Sequence, residues 1–235
     1  VQARMIRWPT INRFGDMAFS AMGRTVVQNN TGKQKDLGGG FSPSWSRDGQ
    51  QLVWTSWSDK TESGNLHITH GRGHGRTETL PITGQLVNPS FGPDGNTIVV
   101  LRDPHINNRP NLGSFPWYEL ILLRKRGRQW TSHTLDKTVG KGVGFRAPRP
   151  RIHDGRIWWL ATGETESRQP SKSKFMSVDL NGTDPRDHLI FDGAVEATPS
   201  PDFNRIAYKL GHQAWVTAMP QPGTKVHVDK LPRYQ

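Results

Sequence analysis

The chain has 235 residues, a formal net charge of +11, 25 glycines, 17 prolines and no cysteine. That length can bury a sizeable core, and the missing thiols exclude disulfides and thiolate metal sites. The longest apolar runs, 98–101 and 120–123, fall far short of the ~20 residues a membrane-spanning helix needs, so no membrane span is expected.

In chain order, residues 4–11 read as an extended segment, 17–20 return, and 24–29 follow the turn Ala21-Met22-Gly23. Residues 30–33 are a further turn. The stretch 41–69, FSPSWSRDGQQLVWTSWSDKTESGNLHIT, sets the pattern for the whole chain. Asp48-Gly49 is a strong hairpin signal, and Leu52 to Ser56 is a returning strand rich in β-branched and aromatic residues. A polar turn over 59–64 delivers a third strand at 65–69, and 77–81 ends the unit.

The phrase recurs at 89–100, 46 positions later, counting from Asp48 to Asp94. A long loop over 103–116 then breaks the rhythm, and loops of such length are usually functional or disordered. Residues 117–124 and 129–134 pair around a basic turn. The stretch 137–147 carries glycines at 140, 142 and 144, yet it lacks the spacing of a phosphate-binding loop and any following helix, so it reads as a connector. A compressed copy spans 150–159, with strands at 156–161 and 174–180 around a polar loop. A last copy at 199–208 has lost its glycine; 213–218 follows, and 225–229 is expected as the outer strand of that unit. Upstream, 9–19 is a degenerate first copy.

These are five units of about 47 residues, the length of a four-stranded, WD40-like propeller blade. The expected fold is therefore all-β, a β-propeller of four-stranded antiparallel blades, with residues 1–235 forming one propeller domain or a fragment of one. The chain opens on Val1 rather than methionine, and is read as a processed product or part of a longer protein.

The phrase Pro-Ser-Trp-Ser-x-Asp-Gly, two positions and an apolar strand resembles the repeat of TolB-type β-propellers. Residues 6–9 (IRWP), 54–59 (WTSWSD) and 198–202 (TPSPD) are more similar still to the propeller that precedes the catalytic barrel in bacterial amidohydrolase-related proteins. The resemblance implies a periplasmic or secreted setting. It also implies more than five blades, hence an incomplete ring completed by missing sequence or by a second chain.

The recurrent Asp48, Asp94, Asp154 and Asp202 stand once per unit in the hairpin, which assigns them to turn capping rather than to an acid–base constellation. His67, His70 and His74 superficially suggest a metal site, but no carboxylate motif accompanies them. His153, in the fourth hairpin, is expected to face solvent. No Gly-x-Ser-x-Gly elbow is present, nor the His-x-His motif of amidohydrolase barrels. No catalytic, cofactor-binding or metal residue is therefore assigned, and no cofactor. Trp45, Trp54, Trp158 and Trp159 are expected to pack between blades, while Trp57, Trp117, Trp130 and Trp215 are less constrained and could line a channel.

The positive charge falls at 72–76, 123–128 and 146–156. All three stretches sit at expected turns or strand ends and no nucleic-acid module accompanies them, so they read as solvated surface. The chain is thus expected to be a non-catalytic propeller interaction module, binding protein or supporting an associated hydrolase domain, with self-association possible. Two rivals remain: a propeller hydrolase or lyase acting on peptides or carbohydrates at the channel mouth, and a polyanion-binding module.

Overall fold

In the computed structural model, which describes residues 6–104, 117–140, 147–162, 172–221 and 223–234, regular structure is β-strand apart from a three-residue 3-10 turn at Val228–Lys230. Of the loop expected at 103–116 and the connector expected at 137–147, Asp103 instead ends a strand and 137–140 continue one, while 105–116, 141–146 and, in the polar loop, 163–171 lie outside the described residues. Two compact units are present. The first is Val1–Phe115 with Glu119–Thr134, the second Pro116–Tyr118 with Leu135–Gln235.

The first unit holds β1 (Ile6–Ile11), β2 (Met17–Ala21), β3 (Arg24–Gln28), β4 (Gln34–Trp45), β5 (Leu52–Ser56), β6 (Gly64–Thr69), β7 (Thr77–Phe91) and β8 (Thr97–Asp103). They continue into β9 (Trp117–Arg126) and β10 (Gln129–Gly140), each strand beside its sequence neighbour. Two strands serve two blades each. β4 pairs with β3 through residues 34–39 and with β5 through 40–45, and β7 divides in the same way between β6 and β8. At these crossovers Gly38 (φ 117°) and Gly84 (φ 134°) hold backbone that a side chain would strain.

In the second, third and fifth blades the hairpin between the first and second strand is capped by an aspartate. Asp48 Oδ1 accepts from Ser46 Oγ at 2.6 Å and from the Gln50 amide at 3.0 Å. Asp94 Oδ1 accepts from the Asn96 amide at 3.0 Å and Thr97 Oγ1 at 2.8 Å. Asp202 repeats this with Ser200 Oγ and the Asn204 amide. Turn capping is thus what these carboxylates do. The degenerate first copy differs: Asp16 is fully buried and receives both Arg72 Nε and Arg72 Nη2 at 2.6 Å. Asn12 Nδ2 adds a bond to Asp16 Oδ2 at 2.9 Å. The Arg72 bonds hold the Asp16 carboxyl below its ordinary range.

The strands alternate as the hairpin register dictates. Val53, Leu66, Ile68, Ile98, Val100, Ile121 and Leu123 form one core, joined by the Trp130 ring. A second core joins Ala18 and Val27 of the first blade to Leu52 and Trp54 of the second. Trp54, Trp158 and Trp159 are buried, as their repeat positions implied, but Trp45 is only partly covered.

The second unit holds β11 (Arg151–His153), β12 (Arg156–Ala161), β13 (Ser173–Asp179) and β14 (Arg186–Phe191), then β15 (Ala194–Pro199), β16 (Arg205–Leu210) and β17 (Gln213–Ala218). The expected outer strand at 225–229 goes elsewhere. β18 (Val226–His227) crosses to the fourth blade and pairs in parallel with β14, Leu189 opposite Val226 and Ile190 opposite His227. The fifth blade is closed instead by β19 (Arg233–Tyr234), antiparallel to β17. Burial explains the diversion: Val228 is 1% exposed within the core of Leu189, Phe191, Ile206 and Tyr208. Lys225 Nζ meets Asp187 Oδ2 at 2.9 Å on the rim.

Candidate functional site

The inner strands of the first three blades share an irregularity that positions side chains at the crossover end. In β1, Arg7 pairs with Ser20 and Thr10 with Ala18, so Trp8 and Pro9 together oppose Phe19 alone. In β4, Ser42 and Pro43 oppose Trp54 in the same way, and in β7 Asn88 and Pro89 oppose Val100. Each is a β-bulge whose first residue lies in the left-handed region: Trp8 at φ 50°, Ser42 at φ 54°, Asn88 at φ 50°. Proline, which has no amide hydrogen to offer a ladder, takes the second bulge position every time. Three non-glycine residues held left-handed store about 1 kcal/mol or more apiece, and such strain persists only where surrounding structure enforces it. Ser42 Oγ donates to Asn88 Oδ1 at 3.1 Å and ties two of the bulges together.

Beside the bulges lies a row of rings. Trp8 and Phe41 stand 5.7 Å apart between centroids, and Phe41 and Trp57 6.2 Å, all three half-buried. The Arg7 guanidinium lies 6.0 Å from the Trp8 ring. Trp57 Nε1 donates to Asp59 Oδ1 at 2.7 Å, which fixes the indole against its own loop. In the third blade Arg102 Nε meets Glu119 Oε2 at 2.5 Å, at a crossover where a side chain on Gly84 would collide with the arginine stem. Half-buried aromatics flanked by one cation and one carboxylate give a surface suited to binding, with rigid rings as anchors and charges to orient a partner.

The three histidines do not converge. The His67 ring stacks on Trp54 at 4.6 Å with Nδ1 3.1 Å from Thr79 Oγ1, and burial lowers its pKa. His70 Nε2 faces Glu78 Oε2 at 3.5 Å, and the carbonyls of His74 and Gly75 receive Lys35 Nζ. Among the described residues the one group with ligand-like spacing is Asp192, His227 and Asp229 in the second unit, residues too far apart in sequence to be read as a motif. Both carboxylates are exposed, and Asp229 is already paired with Arg233 Nη1 at 2.9 Å, so ion pairing accounts for the arrangement.

His153 is not solvent-facing as expected. Its ring lies flat on Phe203 at 3.9 Å, and its carbonyl accepts from Trp158 Nε1. His188 lies 4.1 Å from Trp158 and is buried, with Nε2 2.8 Å from Ser177 Oγ. Burial, with the Arg156 and Arg186 charges behind it, pushes His188 down to about 4, so it is neutral at physiological pH. Arg156 Nε donates to Ser177 Oγ at 2.8 Å, and Ser177 is fully buried, so this serine–histidine pair is part of the core.

One cation in each basic stretch is engaged, while Arg126 and Arg128 are exposed. Arg72 holds Asp16, Arg156 holds Asp184 at 2.9 Å, and Lys125 lies over the Trp130 ring. Residue 146 lies outside the described residues. Sequence reasoning missed the aromatic row and the bulges. The available signal was the residue before each repeated proline, in Trp8-Pro9, Ser42-Pro43 and Asn88-Pro89.

No family model and no curated protein matches the sequence. Solved structures do. TolB from Acinetobacter baumannii superposes with a TM-score of 0.58 at 14% identity, over 93% of this chain and 52% of that one. The tricorn protease gives 0.68 at 10% identity, over 98% of this chain and 26% of that one. Oligogalacturonate lyase from Vibrio parahaemolyticus gives 0.54 at 8% identity, over 90% and 62%. The chain thus spans about half the length of the Acinetobacter protein. Identities this low speak to fold alone, and these proteins bear unrelated activities. With antiparallel blades, repeated hairpins and these neighbours together, the chain has the fold of the TolB-like β-propellers.

Proposed function

We propose that the chain is a non-catalytic propeller module that binds protein at the crossover face of its first unit. The observation that carries this reading is the Trp8, Phe41 and Trp57 row, set beside three left-handed bulges and flanked by Arg7 and Asp59. Strain maintained at corresponding positions in three blades marks a surface whose shape is held for use. The repeat carboxylates do not compete with it, because Asp48, Asp94 and Asp202 are engaged in their own turns. A periplasmic or secreted setting and association with an amidohydrolase-type hydrolase complete the reading, both resting on the sequence resemblance.

Immobilised panels of extended peptides and of neutral and acidic oligosaccharides test it. Wild-type chain is expected to be retained on peptides, with Trp57→Ala and Trp8→Ala reducing retention at least tenfold. Retention on oligosaccharides accompanied by chain cleavage would establish the rival, an enzyme at the channel mouth. Retention on the acidic panel alone, falling steeply with salt, would establish the polyanion-binding reading.

A further inference from the structure

From β1 to β9 each strand runs antiparallel to the next, so the turns of the first unit alternate between two ends. One is the crossover end, with the aromatic row and the bulges. The other, the hairpin end, gathers the turns at 12–16, 29–33, 46–51, 70–76, 92–97 and 126–129 from three blades. These turns are tied to one another. Asn12 Nδ2 donates to the Gly49 carbonyl at 3.2 Å, and the Arg72 amide to the Gln50 carbonyl at 2.9 Å. The Lys125 amide donates to the Asn96 carbonyl at 2.8 Å, and Trp130 Nε1 to Glu78 Oε1 at 3.2 Å.

The charges of the described residues divide unequally between these ends. The hairpin end, at 12–16, 29–35, 46–51, 70–78, 92–97 and 124–128, holds ten lysines and arginines against four acids. The crossover end, at 6–8, 21–24, 36–43, 56–64, 84–89, 102–103 and 119, holds four against five. One end is therefore strongly basic and the other nearly neutral. The acids of the hairpin end serve its own structure. Asp16 is buried on Arg72, Asp48 and Asp94 cap their turns, and Glu78 takes the Trp130 ring nitrogen. The cations are left outside: Arg13, Lys33, Arg47, Arg126 and Arg128 are exposed without an ion pair among the described residues, and the Arg76 side chain is 80% exposed. Phe14, 37% exposed, lies among them with the Arg72 guanidinium 4.8 Å from its ring. Residues 1–5 and 105–116, outside the described residues, join β1, β8 and β9 at the crossover end and contain no acid that could offset this charge.

We infer that the hairpin end of the first unit seats on an anionic membrane surface, leaving the aromatic row at the opposite end open to its own partner. This goes beyond the crossover-face reading and rests on different residues. The cations stand at turn tips from three blades rather than along a groove. Phe14 is the one exposed ring there among the described residues, too few for a platform on which successive bases stack. No helix is present at that end to enter a duplex groove. A layer of lipid phosphates can meet all the tips at once, with Phe14 at the level where head groups meet acyl chains. Each lysine or arginine brought within a Debye length of such a layer raises binding about fivefold.

Co-sedimentation of the whole chain with vesicles at about 0.1 M salt provides the test, comparing pure phosphatidylcholine with a mixture containing about one-third phosphatidylglycerol. Two double variants of equal net charge separate place from total charge: Lys33→Glu with Arg126→Glu at the hairpin end, and Lys60→Glu with Lys230→Glu away from it. All four side chains are exposed, and unchanged circular dichroism and thermal midpoints establish folding. Arg47→Glu with Arg128→Glu replaces the first pair should that pair fail to fold. Wild-type chain is expected to sediment with the anionic vesicles and not with the neutral ones. The hairpin-end pair is expected to lose binding about tenfold or more, and the other pair to keep most of it. Wild-type chain that ignores the anionic vesicles overturns the inference. So do equal losses in the two pairs, which would mean that net charge alone acts. Preference for duplex DNA beads over the vesicles would assign the end to nucleic acid and overturn it as well.

Discussion

The two units build a blade by different means. In the first, one blade passes into the next without a break in the ladder: β4 and β7 each finish one sheet and begin another, and every inner strand carries the same proline bulge. In the second, the inner strand β11 has three residues, and the fourth and fifth blades are edged by two-residue strands from the end of the described chain. The first unit is specified locally, by hairpin, bulge and crossover. The second relies on a distant segment returning to finish it, so its stability is held by fewer and longer-range interactions.

The largest expected effect lies within the first unit. Trp54 is buried, stacks on His67 and donates from Nε1 to Thr69 Oγ1 at 3.0 Å. Trp54→Ala is expected to cost about 3–5 kcal/mol, with Trp45→Ala costing clearly less because its ring is only partly covered. Denaturant melts rank the two, and equal losses would mean that burial is not what sets the order.

Acid separates the units next. His188 is held near 4, below its ordinary 6.5, so the unfolded chain binds more protons than the folded one between those values. Stability is therefore complete above about pH 6.5 and falls toward pH 4, by about 3 kcal/mol in the second unit. In the first unit His67 shifts the same way but by less, and Asp16, held below 3.8, gives up its contribution only at still lower pH. Hydrogen exchange at pH 7 and pH 4.5 should show the second unit loosening first, and His188→Phe should flatten the difference. Second-unit loosening in that variant as large as in the wild type would contradict the assignment.

A smaller loss, about 2 kcal/mol for the methyl groups removed, is expected for Val228→Ala. Amide protection should drop at Leu189 and Ile190, opposite β18, and remain unchanged in β5. The smallest effect is for Asp48→Ala, about 1 kcal/mol for a lost local cap. It should be matched by Asp202→Ala in the second unit, since the two turns are built alike.

Much of the fold was legible because its signals are local. Asp48-Gly49 and its copies announce hairpins, and the apolar residues after them announce returning strands. The bulges were less legible, since a residue before proline reads simply as extended and nothing in Trp8-Pro9 alone says that tryptophan turns left-handed. The Asp16–Arg72 pair joins residues from two blades, so neither looked unusual in its own unit. β18 was misplaced for the same reason: two residues carry no periodicity, and only the burial of Val228 decides which blade they join. Of the candidate site, Trp57 was marked as unconstrained, but its grouping with Trp8 and Phe41 depends on strand order that no local pattern encodes. His67, His70 and His74, close in sequence and not assigned as a metal site, are divided between a stack, a charge pair and a turn.

The parallel pairing of β18 with β14 also sets a schedule for synthesis. A ribosome releases residues 151–218 in order, and the sheets of the fourth and fifth blades can assemble as they emerge. Neither outer edge is covered until 226–234 have left the exit tunnel, because both covering strands come from that one stretch. For that interval the nascent protein displays two unpaired strand edges, the surfaces most prone to join a neighbouring chain. A translational pause while residues 226–234 are still inside the exit tunnel would prolong this exposure, while a pause after they have emerged would come too late to matter.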